Sequence, residues 1–183
     1  MIGKVFEKIT KPYGQRWCAG RGIDQYDDQY IGMWLTFIRQ VLKSQKRVHG
    51  PKGPIYCDVI LSPIFNAFAP TSQGYEMIAI FSSAVSHIIA AHHCFLSDPK
   101  ALLEIGNPLD ENLAPDALDL FRNYHPLTSP HHHPKGERFV VATCLAWLAC
   151  VFVVLHEVGH IVRCHTSYIQ RTYGLSITRN SPC

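Results

Sequence analysis

The stretch FVVATCLAWLACVFVVLHEVGH, residues 139–160, decides how the rest of the chain is read. From Phe139 to Leu155 it runs 17 residues with only Thr143 obviously polar, too long for a strand and suited to a buried helix. His156, Glu157 and His160 follow at once. On an α-helix, residues four apart share a face one turn apart, so two imidazoles at this spacing can grip one Zn²⁺ through their ring nitrogens. Glu157 neighbours the first of them and projects to the same side, where it can take a proton from a water that the metal activates. Burying such groups unpaired costs several kcal/mol, so an apolar helix has little reason to carry them without a task. The plainer alternative makes both histidines ordinary helix residues. Gly159 costs the helix roughly 1 kcal/mol relative to Ala, which predicts a neighbouring backbone or strand close to the metal.

Upstream, the pattern changes period. After Asp27 and Asp28, the residues Ile31, Trp34, Leu35, Ile38, Val41 and Leu42 repeat with helical spacing, and the Gly- and Pro-rich residues 49–54 end that helix in a loop. Ile55 to Leu61 reads as a short strand, Ile64 to Ala69 as a further extended piece, and Tyr75 to Phe81 as a second strand after a turn at 70–74. A helix is expected from Ser82 or Ser83 to about Phe95. Asp98-Pro99 predicts another short helix closed by Gly106, and residues 110–134 an excursion with one helix near Asp116 to Tyr124. The long helix is expected over Glu137 to about Cys164. The first 25 or so residues show no clear period and are expected to wrap the surface. The order of elements predicts an α+β domain spanning residues 1–183.

Two segments together resemble a known group. Asn66-Ala67-Phe68-Ala69, a turn with Gly74, Met77-Ile78-Ala79-Ile80 and a helix start precede the His-Glu-apolar-Gly-His helix. This is similar to gluzincin peptidases, in particular the CAAX-protein endopeptidases with their minimal soluble relatives, and in outline the Lit-like phage-exclusion peptidases. The resemblance covers roughly Ile55 to His165, with an apparent insertion at about 98–137. It implies a zincin-like fold, a small sheet packed on a buried active-site helix. It also implies a zinc-dependent endopeptidase in which His156 and His160 bind the metal and Glu157 is catalytic. The strand of Asn66, Ala67, Phe68 and Ala69 would then offer backbone hydrogen bonds to an extended protein or peptide substrate. A plain turn or strand-end role for Asn66 stays equally open.

The chain departs from that pattern in one respect. A catalytic zinc needs a third protein ligand, a glutamate on a later helix in gluzincins, and no Asp or Glu follows Glu157. His165, Cys164 and Cys183 are candidates, and loss of the glutamate-bearing helix by truncation is the expectation preferred over them. The alternative function is accordingly a catalytically impaired regulatory or interaction protein built on the zincin scaffold.

Bulk properties bound the rest. With 47% hydrophobic and 17% charged residues the chain is not of disordered composition. The formal charge of +3 is scattered, so no nucleic-acid partner is expected, and Lys43 to Arg47 reads as the solvated end of a helix. Seven cysteines without a CxxC pair suit a reducing compartment, with Cys144 and Cys150 as small buried hydrophobes. Met1 to Thr10 lacks an apolar signal core, so the localisation expected is cytoplasmic. Phe139 to Leu155 is about 25 Å of helix, short of the ~20 residues of a membrane span. A soluble protein is therefore expected, an intramembrane protease being the alternative. His92 and His93 read as a helix face or a core histidine with a partner. His131 to His133 read as a loop able to bind metal adventitiously, and Tyr168 and Tyr173 as packing residues.

Overall fold

Two strands buried on both faces organise the molecule, which explains why their sequences run almost continuously apolar. In the computed structural model, residues 2–18, 25–44, 55–72, 75–111 and 133–163 are described. The elements are α1 (Ile2–Thr10), β1 (Gln15–Arg16), α2 (Gln25–Ser44), β2 (Tyr56–Leu61), β3 (Ala67–Phe68), β4 (Thr71–Ser72) and β5 (Tyr75–Phe81). They continue with α3 (Ser82–Ser97), a 3-10 turn (Pro108–Asp110) and α4 (Gly136–Val162). The architecture is α+β, with helices around a small mixed sheet.

Strands β2 and β5 run parallel, from Tyr56 opposite Met77 to Ile60 opposite Phe81. Antiparallel strands flank them: β1 lies outside β2, β3 lies outside β5, and β4 pairs with the start of β5. Side chains alternate between the two faces. Cys57, Val59, Ile78 and Ile80 join one core with α2, α3 and α4, whereas Ile60, Met77, Ala79 and Phe81 close on Phe6 of α1. Helix α1 was not expected from the sequence. Its Val5, Phe6 and Ile9 form the stripe that covers the second face of the sheet. Between α1 and β1, Gly14 has φ 148°, and a Cβ there would collide with the Leu61 carbonyl, so only glycine lets β1 approach β2.

A buried carboxylate ties these layers together. Asp58, 1% exposed, lies 2.6 Å from Arg16 Nε and 2.9 Å from a terminal nitrogen of Arg39, and accepts from the Tyr56 hydroxyl at 2.7 Å. Burial, and then the bond to Asp58, push the Tyr56 hydroxyl upward. Asp58→Asn removes the charge that two guanidiniums face. We expect a loss of about 2 kcal/mol by urea denaturation, kept modest because both arginines are partly solvated. A loss below about 0.5 kcal/mol would show the network to be dispensable.

Helices α3 and α4 pack antiparallel, the end of one against the start of the other. Arg138, 0% exposed, stands at that junction. Its guanidinium donates to the carbonyls of Leu96 (2.8 Å), Leu102 (3.1 Å), Ile105 (2.9 Å), Asp98 (2.9 Å) and Ala101 (2.6 Å). This corrects the short helix expected from Asp98 to Gly106. Residues 98–106 form turns, because four of these carbonyls point inward to one cation and cannot also point along a helix axis. Leu102 takes a positive φ of 45° within this wrap. The expected helix at 116–124 and the loop at 49–54 lie outside the described residues.

Burial pushes the thiols of Cys57 and Cys150 up to about 12, so both stay protonated as small hydrophobes. Cys144, also expected to be buried, is exposed. It belongs to a face of α4 that nothing among the described residues covers. Leu148 is 65% and Phe152 70% exposed, and Val140, Leu155 and Val162 are exposed beside them. The helix is thus packed on one side rather than enclosed. By length and composition it is apolar enough to cross a membrane, and only 22% of its most apolar window is buried.

Candidate metal centre

The end of α4 carries the three residues singled out by spacing. Because the start of α4 lies at the end of α3, its far half reaches the sheet, where α4 touches β3 and β5. Val154, Val158 and Ile161 pack into the core there with Ala67 and Ile80, which fixes the rotation of the helix about its axis. That rotation leaves His156 exposed, His160 half-buried and Glu157 buried at 7% exposure.

The imidazoles converge. Nε2 of His156 and Nε2 of His160 are 3.0 Å apart, with ring planes at 85°. A zinc ion ~2.0–2.1 Å from each of two nitrogens in tetrahedral geometry holds them ~3.3 Å apart, so the pair fits one such ion. Ligand atoms of His156, Glu157 and His160 all lie within 4.8 Å of one another. Among the described residues no further His, Cys, Asp or Glu joins them. The other proposed ligands, Cys164, His165 and Cys183, lie outside the described residues, as do Tyr168 and Tyr173.

Electrostatics favour a cation here. His160 sits in the last turn of α4, at the negative end of the helix dipole. Burial pushes the Glu157 carboxyl above its ordinary range, and the charges of His160 and His156 pull the other way. The close backbone neighbour expected at Gly159 is not found among the described residues, none of which would come within 4 Å of a Cβ at that position.

Of the segment Asn66 to Ala69, Ala67 and Phe68 form the short outer strand β3. The Phe81 N–H donates to the Asn66 carbonyl at 3.0 Å and the Met77 N–H to the Pro70 carbonyl at 3.1 Å. In an antiparallel ladder the alternate residues, Ala67 and Ala69, therefore turn their peptide groups away from β5. Asn66 is exposed, and its side-chain oxygen accepts from the Ala67 N–H at 2.9 Å, so this residue shapes the edge of its own strand. Phe68 points to the opposite face and packs on Tyr13 and Phe81. The described part of the site holds no ligand that the spacing had not already marked. No known protein family, characterised protein or solved structure matches this chain.

Proposed function

We propose that the chain is a zinc-dependent endopeptidase whose centre is His156, Glu157 and His160. The observation that carries this reading is the convergence of the two Nε2 atoms to 3.0 Å beside a buried carboxylate. Zinc bound there supplies Lewis-acid polarisation of a peptide carbonyl and lowers the pKa of water into the neutral range. Glu157 does the proton work. Its carboxylate accepts a proton from the attacking water, and the protonated carboxyl then gives it to the departing amine. Burial suits both roles, because it raises the proton affinity of the group. The outward carbonyls of Ala67 and Ala69 and the Ala69 N–H bind an extended substrate as an added strand, which holds the scissile bond beside α4.

Metal analysis tests the foundation. The purified chain is expected to carry zinc at this centre, and His156→Ala to hold one equivalent less by mass spectrometry of the metal content. Full zinc in that variant would sink the assignment. Full zinc in the wild type with no cleavage of any unfolded protein substrate would favour the non-catalytic scaffold instead.

The open apolar stripe of α4 favours a second reading, in which the same centre works within or against a bilayer. Stable detergent-free solubility of the purified chain at millimolar salt would exclude it.

A further inference from the structure

A second pair of imidazoles converges at the opposite end of α4. His93, in the last turns of α3 and 1% exposed, brings its Nδ1 to 2.9 Å from Nδ1 of His133, which lies three residues before α4. Both rings pack edge-on against Phe139, with centroids 5.3 and 6.0 Å away. The other nitrogen of His93, Nε2, lies 3.4 Å from Thr143 Oγ1. That hydroxyl donates its proton to the Phe139 carbonyl at 2.9 Å, so it can only accept from His93. The proton of a neutral His93 is therefore held on Nε2, and the lone pair on Nδ1 is aimed at His133. Metal-binding histidines likewise donate their other ring N–H to an acceptor that fixes the tautomer and the ring orientation.

The geometry points to a second metal site, in which Nδ1 of His93 and Nδ1 of His133 hold one borderline transition-metal ion such as Zn²⁺, Ni²⁺ or Cu²⁺. Imidazole suits these ions, and the spacing of the pair nearly equals that of His156 and His160. The site is distinct from the first, since 17 residues of helix between Phe139 and His156 span about 25 Å. Its role is structural. It ties the segment entering α4 to the end of α3 across 40 residues of sequence, and an ion that binds only the folded chain stabilises it.

The test silences the first centre with His156→Ala and His160→Ala together, so its outcome does not depend on peptidase function. Ni²⁺ or Zn²⁺ titrated into that full-length variant by calorimetry is expected to bind at one equivalent and to raise the melting temperature. His133→Ala, at an exposed position, is expected to weaken binding at least tenfold, and His93→Gln equally. Thr143→Val, which keeps both imidazoles but removes the orienting oxygen, is expected to weaken it severalfold and covers the case of a His93 variant that does not fold. No saturable equivalent would show that the pair is a hydrogen bond only. Binding unchanged by Thr143→Val, or by a folded His93→Gln, would mean an adventitious ion only, and either result would overturn the proposal.

Discussion

Glu157→Gln is expected to cut peptide-bond hydrolysis about 10³-fold while zinc stays bound, because general-base catalysis by one positioned group contributes roughly 10²–10⁴. The amide has the shape of the carboxyl but cannot take a proton from water, so binding of metal and substrate should survive while turnover falls. Stability should move in the other direction or not at all. Burial penalises the charged form of Glu157, and a neutral amide does not carry that penalty. The decisive experiment measures zinc content, melting temperature and cleavage of an unfolded protein on one preparation. Cleavage at the wild-type rate by a zinc-replete Gln variant would remove Glu157 from the mechanism. A variant that loses zinc or unfolds would show instead that the carboxylate serves the helix.

Arg138→Met should be the most damaging single change to the fold, lowering stability by about 4 kcal/mol and the melting temperature by ~10–15 °C. Methionine fills much of the volume of the arginine stem, but five backbone carbonyls then lose their donor at a fully buried position. Each orphaned acceptor retains its desolvation penalty of ~1–3 kcal/mol unless the 98–106 turns open to water. That opening would detach the loop from α4 and raise its hydrogen exchange, leaving the sheet protected. Glu111, 3.9 Å from the guanidinium, would then be the residual charge without its counter-ion. Arg138→Lys should recover part of the loss, since an ammonium carries three donors where the guanidinium fork carries five. A fall of less than about 1 kcal/mol for the Met variant would show that these carbonyls already reach water.

Period and length made most elements legible before any packing was known. Tyr75 to Phe81 was expected as a strand and observed with those bounds. Helix α2 and helix α3 extend a turn or less beyond the expected spans, as fraying and caps allow. Helix α1 was not read, although Ile2, Val5, Phe6 and Ile9 carry its spacing. Nine residues are too few for the pattern to outweigh the Gly- and aromatic-rich segment that follows. Turn signals at Asp98-Pro99 and Gly106 suggested a helix because nothing local announces that a distant arginine will draw the carbonyls inward.

At the candidate site the local part was legible and the surroundings were not. The spacing of His156 and His160 alone requires their rings to share a helix face, whatever else the chain does. Ring convergence and the burial of Glu157 depend on how α4 is rotated against β3 and β5. That rotation is set by residues more than 70 positions away, such as Ala67 and Ile80.

Local periodicity therefore dictated an α+β order of elements and a single helix face bearing two imidazoles and a carboxylate, since both follow from 2.0- and 3.6-residue repeats within short stretches. Packing between remote segments decided that α4 buries one side and leaves the other open, that Arg138 organises the turns after α3, and that His93 meets His133. Contacts of that kind depend on where the sheet brings each helix, and that placement arises when the whole core closes at once.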